Sequence, residues 1–219
     1  MKNLADSSLW HNFTKQISDL GRMITAQALG KFQNYYELLL EWNQKINLVS
    51  RNDTARLVPY HFVDSILALN YIPVNSTVVD LGSCAGLPGI PVKIMREDIK
   101  LYLIESIQKK AAFLTLATKE LNLNNTIILP ERAEKIRDIK CDVVLIRLLG
   151  KINKIVPIAS PLLNPTGRII FYKSDTAEEE IAEAKKILAK FCLFATIKET
   201  VLPATKIIRR LVILKGESK

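Results

Sequence analysis

VVDLGSCAGLPGIP, residues 78–91, runs from a short apolar segment through Asp80 into a loop with glycines at 82, 86 and 89. An apolar run of this length bounded by a turn signal is a buried strand. A glycine-rich loop at a strand's carboxyl end is where open α/β sheets place their ligand crevice. Similar runs follow downstream: KLYLIE, NTIILP, CDVVLIR and GRIIFYK, with helical segments between them. Residues 106–121 put Ile107, Ala111, Leu114, Ala117 and Leu121 on one helical stripe. Thr176 and Glu179 have the spacing of a capping box that opens a helix whose core face is Ile181, Ala184, Leu188 and Phe191. Strands alternating with helices predict an α/β fold, a doubly wound, mostly parallel sheet. CLFATIKET and IIRRLVILK, separated only by a loop, predict an antiparallel C-terminal hairpin.

Upstream of Pro73 the period is helical. Phe32, Tyr36, Leu39, Asn43 and Ile46 recur at three- and four-residue steps, and Val58, Phe62, Ile66 and Leu69 mark a second helix that tolerates Pro59 only in its first turn. The expected organisation is a helical cap over residues 1–72 and a Rossmann-like domain over 73–219. Asn43, a polar residue on an apolar stripe, is expected to satisfy buried backbone.

Composition excludes several classes. The 219 residues are 48% hydrophobic and 24% charged, with no apolar run of the ~18 residues that a membrane span needs. MKNLADSSLWHNF carries polar and acidic residues where a signal peptide would be apolar, so a cytoplasmic protein is expected. Cys84, Cys141 and Cys192 are odd in number and widely spaced, and with His11 and His61 they form no familiar metal spacing. No metal is expected. A net charge of +9, from 31 Lys and Arg against 22 Asp and Glu, favours a polyanionic partner.

The glycine loop fails the dinucleotide fingerprint, because Cys84 and Leu87 stand where its second and third glycines belong, and it lacks the G-K-[ST] of a phosphate-binding Walker loop. It resembles instead the D-x-G-x-G-x-G cofactor loop of S-adenosylmethionine-dependent methyltransferases. Glu105 ends the second strand about 20 residues beyond Gly82, the spacing at which a carboxylate accepts hydrogen bonds from ribose hydroxyls.

EWNQKINLVS, HFVDSILAL, GLPGIPVKI, ESIQKKAAFL, ERAEKI and NPTGRIIFYK, in that order, resemble the small-subunit (16S) ribosomal RNA guanine-N7 methyltransferases, also called glucose-inhibited division protein B. The resemblance covers roughly residues 32–173. It implies a Rossmann-like methyltransferase fold, S-adenosylmethionine as cofactor and 16S ribosomal RNA, in or near the small subunit, as partner. It also implies that Gly82, Gly86 and Leu87 contact the cofactor, that Ala133 and Glu134 border its adenine, and that Arg147 closes the site. Three positions depart from the family's pattern: Cys84 replaces a glycine, Glu105 an aspartate, and LIRLLG an S-R-A run.

The chemistry asks for little. Ser65, His61 and Asp64 lie on one or two turns of a single predicted helix, a spacing that does not aim three groups in series at one atom. Guanine N7 carries a lone pair and no proton, so no general base and no catalytic side chain is expected. Lys45, Arg51, Arg56 and Lys173 are candidates for RNA contacts, and a monomer is expected. A catalytically silent RNA-binding or ribosome-assembly factor on the same fold is the alternative, and cofactor binding separates the two.

Overall fold

A computed structural model describes residues 4–136 and 138–216; the side chains of residues 4–6 and 51 lie outside that description. Seven strands form one sheet: β1 (Thr77–Leu81), β2 (Lys100–Ile104), β3 (Thr126–Leu129), β4 (Cys141–Arg147), β5 (Leu163–Lys173), β6 (Leu193–Val201) and β7 (Ile208–Gly216). Their order is β3-β2-β1-β4-β5-β7-β6, with β1 to β5 parallel and β7 antiparallel to both its neighbours. The expected hairpin is therefore present. Strand order reverses between β1 and β4, which opens the crevice at their carboxyl ends.

Alternation along the strands feeds two cores. Val78, Leu101, Leu103, Val143 and Leu145 face one cluster, while Val79, Leu81, Ile104, Val144 and Ile146 face the other. Helices α4 (Gly89–Met95) and α5 (Gln108–Glu120) cover the first face, and α6 (Ile152–Ala159) and α7 (Ala177–Lys190) the second. Period-2 side chains buried on both faces are what a central parallel sheet requires.

The N-terminal helices α1 (Leu4–Asp19) and α2 (Ala26–Asn43) join the first core and form none of their own. Phe13, Phe32 and Phe62 meet edge-on or tilted at 5.0–6.3 Å, and Tyr35 stacks on Phe62 at 5.3 Å. The division expected at residue 72 thus separates helices from sheet without separating their cores.

Three local expectations need correction. Helix α2 stops at Asn43, short of Ile46, because the Asn43 Oδ1 accepts the N–H groups of Leu48 and Val49 at 2.9 and 3.0 Å and turns the chain. That bond is the backbone satisfaction expected of Asn43. Residues 51–71 are an irregular helical run instead of one α-helix: 3-10 over Arg51–Arg56, π over Leu57–Phe62, a short α3 (Val63–Ser65) and 3-10 over Ile66–Tyr71. Pro59 sits in the π turn, where its missing N–H removes an α-type bond. The capping box of Thr176 and Glu179 does not form, since Thr176 Oγ1 donates to Glu180 Oε1 at 3.2 Å and caps no backbone N–H. Among the described residues no helix is long and apolar enough to cross a membrane.

Candidate active site

The loop after β1 owes its path to positive φ at Gly82 (+77°), Cys84 (+51°) and Gly86 (+89°). At Gly82 the left-handed φ favours glycine, and an added Cβ would also lie 2.6 Å from Leu149 Cδ1, whose side chain would have to shift. Asp80, fully buried, accepts the Gly89 N–H at 2.8 Å and anchors the start of α4. Its other oxygen has no partner, and burial pushes its pKa up to about 7. Because the folded chain holds this proton more tightly than the unfolded one, the contribution is fully present below the ordinary 3.8 and is lost as pH rises to about 7. Asp80→Asn should remove that loss, so that its melting temperature gains on the wild type's between pH 5 and pH 8 in parallel thermal melts.

Glu105 ends β2 facing the loop. Its Oε2 accepts the Cys84 N–H at 2.9 Å and its Oε1 the Ile107 N–H at 2.7 Å, so one buried carboxylate ties the glycine loop to the start of α5. Each oxygen keeps a second lone pair for a ligand. From the other side, Tyr35 donates to the Ala85 carbonyl at 2.6 Å and fastens α2 to the same loop. Cys84 Sγ contacts the Leu48 carbonyl at 3.4 Å and receives a hydrogen bond from Lys110 Nζ at 3.0 Å.

At the end of β4 a buried polar network crosses to residues 53–65. Arg147 donates to Ser65 Oγ at 3.2 Å, meets His61 Nδ1, and lies 3.5 Å from Asp64, which also holds Arg209 at 2.5 Å. A guanidinium only donates, so His61 Nδ1 is the acceptor and the imidazole proton sits on Nε2. Burial, then the Arg147 charge, lowers the His61 pKa to about 4, so the ring is neutral at physiological pH. Its Nε2 has no hydrogen-bond partner and lies 3.7 Å from Asp53 Oδ1. Ser65 Oγ donates to the His61 backbone carbonyl, so Ser65, His61 and Asp64 form no triad.

These groups surround one cavity of about 710 Å³ at the carboxyl ends of β1, β2 and β4. Of the residues singled out for the cofactor, Gly82, Leu87, Glu105, Ala133, Glu134 and Arg147 line it. Gly86 is not among the lining residues, and a Cβ there would lie 2.5 Å from Ile90 Cδ1 and 3.0 Å from the Tyr35 hydroxyl. Of the RNA candidates, Lys45 is exposed and pairs with Glu41 at 2.6 Å, and Arg56 pairs with Asp53 at 3.3 Å while covering the Tyr60 ring. The side chain of Arg51 lies outside the described residues. Lys173 is largely buried, its ammonium held by Glu180 at 2.7 Å and by the Gly150 carbonyl, so it is a structural cation and not a free one. Sequence reasoning missed Asp53, which lines the cavity from a polar stretch with no periodic signal, and gave His61 no part in the site.

The sheet order and the crevice are those of S-adenosylmethionine-dependent methyltransferases. The fold is similar to a SAM-dependent methyltransferase from Aquifex aeolicus (TM-score 0.54, 18% identity, covering 74% of this chain and 93% of that one). It is also similar to M. jannaschii TYW2 in complex with AdoMet (TM-score 0.57, 18% identity, 78% of each chain). Residues 28–213 match the family model described as rRNA small subunit methyltransferase G, and the chain belongs to that family. Among curated relatives, the ribosomal RNA small subunit methyltransferase G of Sorangium cellulosum is 32% identical over 203 residues, 90% of this chain and 84% of that one. The protein of the same name from Staphylococcus carnosus is 34% identical over 198 residues, 86% and 82% of the two chains. The protein is thus an enzyme of the S-adenosylmethionine-dependent methyltransferase class.

Proposed function

We propose that this protein methylates N7 of a guanine in 16S ribosomal RNA, acting in the cytoplasm as a monomer on the small subunit or its RNA. The observation that carries the reading is the cavity at the strand-order reversal, in a chain whose residues 28–213 match the rRNA small subunit methyltransferase G family. The residues present fit S-adenosylmethionine. A nucleoside needs close backbone approach, which the Gly82 turn allows, and a hydroxyl acceptor, which Glu105 offers through its spare lone pairs. Ala133 and Glu134, following β3, border the space an adenine would fill.

When bound, the cofactor supplies a methyl group activated on a sulfonium. The chain's own residues bind and orient, because N7 has no proton to lose and holding the reactants in line lowers the barrier. The ring gains positive charge as N7 is methylated, so a neutral His61 and an anionic Asp53 suit the acceptor side. N7 lies in the deep major groove of A-form RNA, which makes a loop, a bulge or a flipped base the form in which it is reached. Lys45 and Arg56, from the helical cap, are proposed phosphate contacts, and their contribution should fade steeply with salt.

The test is transfer of labelled methyl to small subunits from cells lacking this enzyme, with the product base identified by mass. Label in 7-methylguanine at one position is the expected result. Subunit binding without label would mean a silent assembly factor. Cys84→Gly bears on the same point. Sγ turns toward Leu48 and Lys110 while the Cys84 N–H stays with Glu105, so cofactor affinity should change by less than about tenfold. A larger gain in calorimetric titration would mark the natural loop as degenerate.

A further inference from the structure

We propose that Asp53 and His61 select guanine as the methyl acceptor, His61 Nε2–H donating to O6 and the Asp53 carboxylate accepting from N1–H and the 2-amino group. The assignment rests on the methyltransfer reading above and adds to it the residues that read the base. Four observations converge on it.

Both side chains line the cavity, and on one side of it. Glu105 and Ala133 follow β2 and β3, whereas Arg147, which contacts His61, ends β4 on the other side of β1. A base held by His61 therefore sits across β1 from the proposed ribose and adenine contacts. Second, His61 is 8% exposed and its Nε2–H has no partner, a buried donor that a ligand acceptor would satisfy. Third, Asp53 Oδ1, which accepts from Arg56 Nη1 at 3.3 Å and has a lone pair to spare, is 3.7 Å from that nitrogen, longer than a direct hydrogen bond, so the two groups can bond adjacent atoms of one base edge. Ser50 donates to Asp53 Oδ2 at 2.9 Å and, with His61 and Arg56 nearby, holds the carboxyl below its usual range, so it is an acceptor only. Fourth, Leu148 is 90% exposed and Leu149 41% exposed beside Arg147, an apolar lip at the cavity against which a base can lie.

The pattern of donor and acceptor fits guanine; uracil shares the acceptor and the neighbouring donor but sets a carbonyl, where guanine has its 2-amino group, against the carboxylate, and it has no N7. Guanine's pairing edge offers O6 as acceptor, then N1–H and the 2-amino group as donors. Adenine presents a donor and then an acceptor, which would set hydrogen against Nε2–H and a lone pair against the carboxylate. A site built to bond such groups rejects analogues that lack them. The pairing edge so held leaves N7, on the adjoining Hoogsteen edge beside O6, free to react. As N7 is methylated, N1–H and the 2-amino group become more acidic, so their bonds to Asp53 strengthen in the transition state. Arg147 acts here as a positioning residue, keeping the His61 proton on Nε2.

The test maps the modified nucleotide with wild-type enzyme on small subunits from cells lacking this protein. Reconstituted subunits then carry inosine, which lacks the 2-amino group, at that nucleotide. Wild type should lose about 10- to 100-fold in kcat/KM from guanine to inosine. Asp53→Asn should be slower on guanine by a similar factor, yet distinguish guanine from inosine by less than about threefold, the signature of a coupled pair. Its affinity for S-adenosylmethionine, by calorimetry, should match wild type. An unchanged guanine-to-inosine ratio in Asp53→Asn, or a loss of cofactor affinity as large as the loss of activity, overturns the assignment and leaves the methyltransfer reading standing. Wild-type label on another base, or none, overturns that reading and this assignment with it.

Discussion

Replacing Glu105 with alanine is expected to weaken S-adenosylmethionine binding by about 100-fold, a loss of two charge-assisted hydrogen bonds at roughly 1.5 kcal/mol each. The buried carboxylate holds the Cys84 and Ile107 N–H groups, which alanine would leave without acceptors. The loop would lose its register with α5 at the moment the ribose lost its acceptor. Glu105→Gln should fall between, because its amide keeps one acceptor oxygen but turns an NH2 group toward the other N–H. Titration calorimetry gives the dissociation constants and thermal melts report the loop. Wild-type affinity in the alanine variant would reduce Glu105 to a brace between two segments.

Arg147→Met is expected to lower stability by about 3 kcal/mol, the low end of the cost of breaking a buried ion pair. The low end applies because Asp64 keeps Arg209 as a second partner at 2.5 Å. The same variant should raise the His61 pKa from about 4 toward the ordinary 6.5, since the Arg147 charge is, after burial, the larger of the forces depressing it, ahead of Arg56. A histidine whose folded pKa is depressed gives stability that is complete above about 6.5 and is lost as pH falls to about 4. That acid-side loss should therefore shrink in Arg147→Met. Proton resonances follow the change directly, as the chain has only His11, which is exposed, and His61. Denaturant melts at pH 5 and pH 7.5 give the stability. A His61 that still titrates near 4 would assign its shift to burial and the Arg56 charge, with no part for Arg147.

The fold was legible because its signals are contiguous. Five apolar runs between helical stripes, with a hairpin at the end, imply the parallel sheet and its antiparallel edge. The irregular helix over residues 51–71 was not, because α, π and 3-10 turns share nearly the same hydrophobic spacing and differ in bonds set by packing and by Pro59. In the site, Gly82 and Glu105 stood out by their place at strand ends. For Gly86 the sequence does not separate a glycine that clears Ile90 from one that clears a cofactor, since both need only the missing side chain. Lys173 was misread because Glu180, its partner, is a helix residue whose inward aim depends on how α7 seats on the sheet.

The sequence by itself determines the strands, the helices and the loop that cannot take side chains, since period and backbone freedom belong to neighbouring residues. It also carries the family, through short motifs kept in order. Tertiary structure alone decides the acceptor side of the cavity. Residues 53, 61, 64, 147 and 209 come from the irregular helix, from β4 and from β7, and they meet where that helix packs across the ends of the two strands. Burial at that junction strips water from His61 and Asp64. The Arg147 guanidinium at Nδ1 sets which nitrogen of His61 carries the proton, a property that no local pattern encodes.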